Sequence, residues 1–235
     1  MWFSPDGATL IGTGVNKEIR FWHVPSGLER VVPTHDLNGR VRFTTSGSAY
    51  LVFCHDQILT FYHLETQQLL RQISIPPSFS VIFQHCGWLN EDTTLLAIED
   101  QDHSIQLWDV EQEQTVERLI GHNDSIRDMD FHSHKSLLAS VSENGTINVW
   151  DLQRAELKNT YYSSAPDIWE ILLNPQLSLL AVVNGEDYIE LWDIETGKLH
   201  AKLAGHDSQI TLAFSPNGKL LASGSDDCQI KIWSL

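Results

Sequence analysis

A four-residue pattern, apolar–polar–apolar–aromatic, recurs along the whole chain and leaves few folds open to it. The copies are IRFW (19–22), LTFY (59–62), IQLW (105–108), INVW (147–150), IELW (189–192) and IKIW (230–233). Their closing aromatics are Trp22, Tyr62, Trp108, Trp150, Trp192 and Trp233, spaced 40, 46, 42, 42 and 41 residues apart. Strict alternation marks a strand with one face more buried than the other. A repeat of roughly 40–45 residues with a strand signature predicts a β-propeller.

The residues around each copy complete the unit. An apolar run such as LLAS (137–140, 220–223) precedes a polar bend such as SENGT or SDDCQ, and the alternating strand follows. Apolar run, tight polar turn and alternating run make a hairpin. A further strand is expected to end near FSPNG (214–218), DFHSHK (130–135) or LNPQL (173–177), and another to follow the aromatic, as in KLHAKLAG (198–205). Even VEQEQTVERLIG (110–121) falls in the slot of a turn and a strand rather than a helix. Each unit therefore reads as about four antiparallel strands. Sheets of this kind hide both faces by stacking radially. The fold class is all-β, a propeller of about six four-stranded blades forming one domain over residues 1–235.

GHNDSIRDMDF…LLASVSENGTINVWD (121–151) and GHDSQITLAFSPNGKLLASGSDDCQIKIW (205–233) resemble WD-repeat β-propellers, and LWD recurs at 107–109 and 191–193. The resemblance implies a structural tetrad in each well-formed blade: His, Ser, Asp and Trp joined by hydrogen bonds. The last repeat has all four, His206, Ser223, Asp227 and Trp233. The fourth has His122, Ser140, Asn144 and Trp150, an amide replacing the carboxylate. The second keeps His35 and Asp56, but Val52 and Tyr62 fill the other places. The third has Ile98, Asp102 and Trp108; the fifth Ala165, Val182, Glu186 and Trp192; the first Gly12, Asn16 and Trp22. An apolar residue in the serine slot suggests that the polar network is either kept whole or largely dismantled, since a half-satisfied buried network is worse than an apolar core.

His206, Ser223 and Asp227 are also the residue types of a hydrolytic triad. A nucleophile needs an exposed, strained turn, whereas Ser223 lies within LLASG, a strand expected to be buried. Strand amides are already paired, so they offer no oxyanion hole. The set is read as glue, with no catalytic residues. His132 and His134 in FHSHK, and the motifs QDH (101–103) and FCHDQ (53–57), invite a metal reading, but no third ligand accompanies them, and they occupy turns. No metal and no cofactor are expected.

Charge narrows the partners. Asp plus Glu number 31 against 15 Lys plus Arg, a formal charge of −16. Such a surface repels phosphate backbones and anionic lipid, so neither nucleic acid nor membrane is expected. Cys54, Cys86 and Cys228 show no C-x-x-C spacing, and no signal peptide or long apolar run is visible; an intracellular, cytoplasmic setting is the expectation.

The expected function is a non-catalytic protein-interaction scaffold. In the resembled family, partners dock around the central channel. The resemblance implies that face at Asn38, Arg40, His55, Gln101, Ser125, Arg127, Glu143, Ile168, Glu170, Gln209 and Asp226. In this alignment Trp169 takes the inward-facing slot of Ile126 and Ile210, so a core position is the expectation and a rim anchor for a partner the alternative. His35 to Phe43 and His206 to Phe214 are eight steps, against nine from His122 to Phe131, so a bulge is expected in the fourth repeat and not in the second or sixth. Two other readings are a small-ligand or metal binder in the central channel and a hydrolase using His206, Ser223 and Asp227. FSPDG (3–7) matches FSPNG (214–218), and no outer strand follows Trp233. The first and last blades are thus expected to be incomplete, with edges open to self-association.

Overall fold

The structure, a computed structural model, describes residues 2–4, 7–14, 18–33, 41–43, 49–54, 58–66, 68–74, 88–89, 94–132, 134–163, 167–185, 188–208 and 210–235. At strand residues 2–3, 13–14, 33, 41–43, 49–54, 59 and 88–89 it describes the backbone alone. The described residues form strands, turns and connecting segments, with no helix among them.

The first sheet holds β1 (Trp2–Phe3), β2 (Thr9–Gly14), β3 (Glu18–His23) and β4 (Leu28–Pro33). The second holds β5 (Val41–Phe43), β6 (Ala49–Cys54), β7 (Ile58–His63) and β8 (Leu69–Ser74). The third comprises β9 (Trp88–Leu89), β10 (Leu95–Glu99), β11 (Ile105–Asp109) and β12 (Gln114–Leu119). The fourth runs through β13 (Ile126–Phe131), β14 (Leu137–Ser142), β15 (Thr146–Asp151) and β16 (Glu156–Tyr162). The fifth has β17 (Ile168–Leu173), β18 (Leu179–Asn184), β19 (Tyr188–Asp193) and β20 (Lys198–Ala204). The last has β21 (Ile210–Phe214), β22 (Leu220–Ser225) and β23 (Ile230–Ser234). Within each sheet the strands lie side by side in chain order. The pattern that ends in an aromatic is in every case the third strand. β1 and β9 have two residues each, and among the described residues the last sheet has three strands.

The chain divides into two compact units, residues 1–98 with 108–114, and residues 99–107 with 115–235. In the first unit Ile11, Ile19 and Phe21 are buried, with Val32, Tyr62 and Leu64 packed on them. In the second unit the sheets cover one another in series. Val141, Ile147 and Val149 of the fourth sheet cluster with Ile171, Val182 and Trp192 of the fifth. Val183, Ile189 and Leu191, on the opposite face of the fifth, cluster with Ile210, Leu212 and Leu221 of the last. Period-two alternation makes this possible, because each strand sends successive side chains to opposite faces. All six residues of β14 and all six of β18 are buried.

The aspartate after the aromatic has a local task. Asp109 Oδ1 accepts the N–H groups of Glu111 and Gln112 at 2.8 and 2.7 Å. Asp151 and Asp193 do the same for the two turns that follow them. These carboxylates shape the turn into the fourth strand. At one such turn Gly197 has φ +67°, and a Cβ there would lie 2.5 Å from the Tyr161 ring, so only glycine fits.

Candidate interaction site

In the last sheet the structure joins four side chains into one chain of hydrogen bonds. Trp233 Nε1–H donates to Ser223 Oγ at 2.9 Å. His206 Nε2 lies 2.8 Å from Ser223 Oγ, and His206 Nδ1 lies 2.7 Å from Asp227 Oδ2. With the carboxylate on Nδ1, the bonding pattern assigns the proton to Nδ1, and the serine hydroxyl donates to Nε2. Burial works to raise the Asp227 carboxyl, but hydrogen bonds from His206 and the Gln229 N–H outweigh it and hold the carboxyl below its ordinary range. Ser223 is 1% exposed and pairs in the ladder with Leu212 on one side and Lys231 on the other.

The fourth sheet builds the same chain with an extra link. Trp150 Nε1–H donates to Ser140 Oγ at 2.8 Å, and His122 Nε2 is 2.6 Å from that hydroxyl. Asn144 is not bonded to the imidazole. Ser142 stands between them, 3.1 Å from His122 Nδ1 and donating to Asn144 Oδ1 at 2.9 Å. Burial, reinforced by His103, lowers the His122 pKa to about 4, so the ring is neutral at neutral pH. Gly121 precedes it because a Cβ there would come within 2.8 Å of the Trp150 ring.

The fifth sheet departs from the expectation that an apolar serine slot goes with a dismantled network. Val182 is buried in the serine slot, yet Trp192 Nε1–H donates to Glu190 Oε2 at 2.8 Å. Ser163 donates to the same oxygen at 3.0 Å, and Lys202 Nζ lies 3.6 Å from Oε1. A fully buried carboxylate two residues before the indole replaces a hydroxyl from the neighbouring strand. In the third repeat, Ile98 and Trp108 are buried, and Asp102 turns to other partners, the Ser104 hydroxyl and the Arg118 guanidinium. These, Ser104 foremost, lower its pKa to about 2. Gly12 of the first repeat is buried and Trp22 half-buried. Asn16, His35, Asp56, Ala165 and Glu186, and the side chain of Val52, lie outside the described residues.

His132 serves a turn. Its Nδ1 accepts the N–H groups of His134 and Lys135 at 3.1 and 3.2 Å, the place that Asn174 Oδ1 takes for Gln176 and Leu177. Among the described residues no group of three His, Cys, Asp or Glu is placed to hold a metal.

Of the implied partner face, Asn38, Arg40, His55 and Gln209 lie outside the described residues. Gln101, Glu143 and Asp226 are exposed on turns, and Ser125 is half-buried. Ile168 is only 1% exposed, whereas Trp169 is 50% exposed. That reverses the inward placement of Trp169. The reason is register. Ile126 pairs with Ser142 and Ile168 with Asn184, each followed by a bulge, so Ile168 matches Ile126 and Trp169 matches Arg127. β21 pairs with β22 without a shift, as the shorter spacing in the sixth repeat implied.

Two features result at this end of the sheets. Arg127 lies over the Trp169 ring, 5.8 Å from its centroid, and its Nε is 3.2 Å from Glu143 Oε1. Carboxylates also cover the free edges of the first strands. Ile126 N–H donates to Glu99, Ile171 N–H to Asp128, Leu173 N–H to Asp130, and Leu212 N–H to Glu170, at 2.7–3.1 Å. An edge strand's outward amides lack ladder partners, and these side chains supply them. Glu170 therefore performs a structural task at the implied face. This carboxylate row was missed in the sequence; its signals were Asp128, Asp130 and Glu170 inside first strands and Glu99 at the end of a second strand.

No helix is long and apolar enough to cross a membrane among the described residues. No curated protein matches the chain. The WD40 family, WD domain, G-beta repeat, matches residues 113–151 and 197–234, which hold most of the fourth and last repeats with their Ser–Trp pairs. WD40 repeats generally mediate protein–protein interaction and scaffolding and are typically non-catalytic. The sheets of three and four antiparallel strands agree with that family's blades, and the two matched segments support a WD-repeat family.

Proposed function

We propose that the chain is a non-catalytic interaction scaffold and that it engages a protein partner at the rim formed by Trp169, Arg127 and Glu143. The observation that carries the reading is the half-exposed Trp169 held under the Arg127 guanidinium. A large aromatic left in water on a strand whose other residues are buried or half-buried is the type of residue that dominates binding energy at interfaces. Arg127 is fixed by Glu143, so the pair presents a rigid, amphipathic surface that costs little entropy to order. Gln101 and Asp226 add polar groups from other turns of the same unit.

The tetrad supports this reading by what it does instead of chemistry. Ser223 is buried, its hydroxyl is bonded on both sides, and its strand is paired on both edges. Affinity capture from cells tests the proposal, comparing the unaltered chain with Trp169→Ala and Arg127→Glu. Proteins that depend on this rim drop out with both variants while thermal stability stays unchanged. If every captured protein survives both changes, the rim is not the binding surface. Labelling of Ser223 by a serine-directed phosphonate would overturn the non-catalytic reading.

A further inference from the structure

At the Trp169 end of the second unit lie the connections that lead into the first strands and out of the second. Asp124, Glu143, Asp167, Asp207 and Asp226 stand in them, and among the described residues they contain no lysine or arginine. The described connections at the opposite end of that unit contain Lys135, Arg154 and Lys219 against one carboxylate, Glu195. The formal charge of −16 is thus spread unevenly, and a partner arriving at Trp169 meets a field of carboxylates.

Within that field Gly185 opens a notch. It stands seven residues before its aromatic, where other sheets of the unit carry Gln101, Glu143 and Asp226. Neither backbone nor crowding demands glycine here. Its φ is not positive, and a Cβ would meet Asp167 Cβ, Trp169 Nε1 and the Asp167 carbonyl at 3.5, 3.7 and 3.8 Å, ordinary contact distances. What the missing side chain leaves open is the edge of the Trp169 ring with its N–H. Trp150, Trp192 and Trp233 give theirs to buried oxygens, whereas among the described residues nothing accepts that of Trp169. The exposed Asp167 forms the other wall, and its carbonyl accepts the Gly185 N–H at 3.0 Å.

On the footing of the Trp169 rim as the docking surface, we propose that the notch over Gly185 receives a lysine or arginine side chain of the partner. A main-chain carbonyl of the same segment accepts the Trp169 N–H. An exposed indole N–H lacks an acceptor and Asp167 lacks a cation; a basic peptide segment supplies both. The aliphatic stem lies along the ring edge while the charged head reaches the carboxylate. Arg127 already lies over a face of the ring, so the incoming side chain arrives at the edge. An acidic segment would find the same N–H donor, but the carboxylates of these connections repel it.

Random heptapeptides displayed on phage and selected on the full chain supply the test. Those that fail to bind Trp169→Ala are expected to carry lysine or arginine at one fixed position. One such peptide, labelled with fluorescein and followed by anisotropy, is expected to bind about tenfold more weakly to Gly185→Gln and to Asp167→Asn. Its analogue with methionine for the basic residue is expected to bind Asp167→Asn and the unaltered chain alike. Gln101 holds the matching place in the third sheet, and asparagine accepts the left-handed backbone of Asp167, φ 64°, so both variants keep the denaturation midpoint. Should Gly185→Gln lower the midpoint, Asp167→Asn decides alone. Trp169-dependent peptides without a basic residue, or a methionine analogue as sensitive to Asp167→Asn as its parent, overturn the inference and leave the rim standing as a docking surface. A selection that yields no Trp169-dependent peptide overturns both.

Discussion

In the fourth and last sheets the buried serine is the pivot of the network, because it is both donor and acceptor between two rings. Ser223→Ala removes the acceptor of the Trp233 N–H and the partner of His206 Nε2 at once. A buried polar group left unmade costs about 1–3 kcal/mol, so the loss is expected at roughly 2 kcal/mol or more in urea denaturation. A fall below about 0.5 kcal/mol would mean that the network is not holding the sheet. His122 supplies a pH dependence. Its pKa is about 4 in the fold against 6.5 as the ordinary value, so between these values the unfolded chain binds more protons. Stability therefore falls as pH drops from about 6.5 to about 4, by at most about 3 kcal/mol from this residue. Asp227 acts lower on the scale: its depressed carboxyl contributes stability above the ordinary carboxylate range, lost as pH falls through its folded value. Denaturation midpoints at pH 7 and 5 should differ in the unaltered chain, and the difference should shrink in His122→Asn. Equal shrinkage in His134→Asn, an exposed ring, would assign the effect elsewhere.

At the scale of the element, the third strands were legible because alternation and an end-aromatic are properties of sequence. The networks were legible where the types are kept, at His206, Ser223, Asp227 and Trp233. They were not legible where a role moved to another strand. Ser142 slips between His122 and Asn144, and Glu190 accepts the indole N–H that a serine on the neighbouring strand accepts elsewhere. Trp169 was misplaced for a related reason. A bulge after Ile168 shifts the face by one residue, and no residue type announces it. Glu190 gives the sharpest test of a relocated role. Its side chain is 0% exposed and carries Trp192, Ser163 and Lys202. Glu190→Ala strands these partners, and breaking a buried charged set costs about 3–5 kcal/mol. Glu190→Gln keeps an acceptor for the indole and should cost distinctly less. Thermal unfolding of both variants checks this, and equal losses would show that the charge, rather than the hydrogen bond to Trp192, is what matters.

For the molecule as a whole, the second unit is built as a series in which each sheet is sealed by the next. The fourth sheet's forward face lies on the fifth, and the fifth's on the last. The last sheet is sealed on one face by Leu212, Leu221 and Trp233 against the fifth, while Leu220, Ile230 and Ile232 on the other are 42–79% exposed among the described residues. Local opening follows burial and pairing, so protection should fall along the series. Amides of 137–151 and 179–193 are expected to exchange only through global unfolding of the unit, because β14 and β18 are buried at every position and paired on both sides. Those of 230–234 should exchange faster by roughly tenfold or more, since opening β23 breaks one ladder and exposes little new apolar surface. Hydrogen exchange read by mass spectrometry on the full chain decides it. Protection of 230–234 equal to that of 147–150 would mean that the face bearing Ile230 and Ile232 is covered in solution.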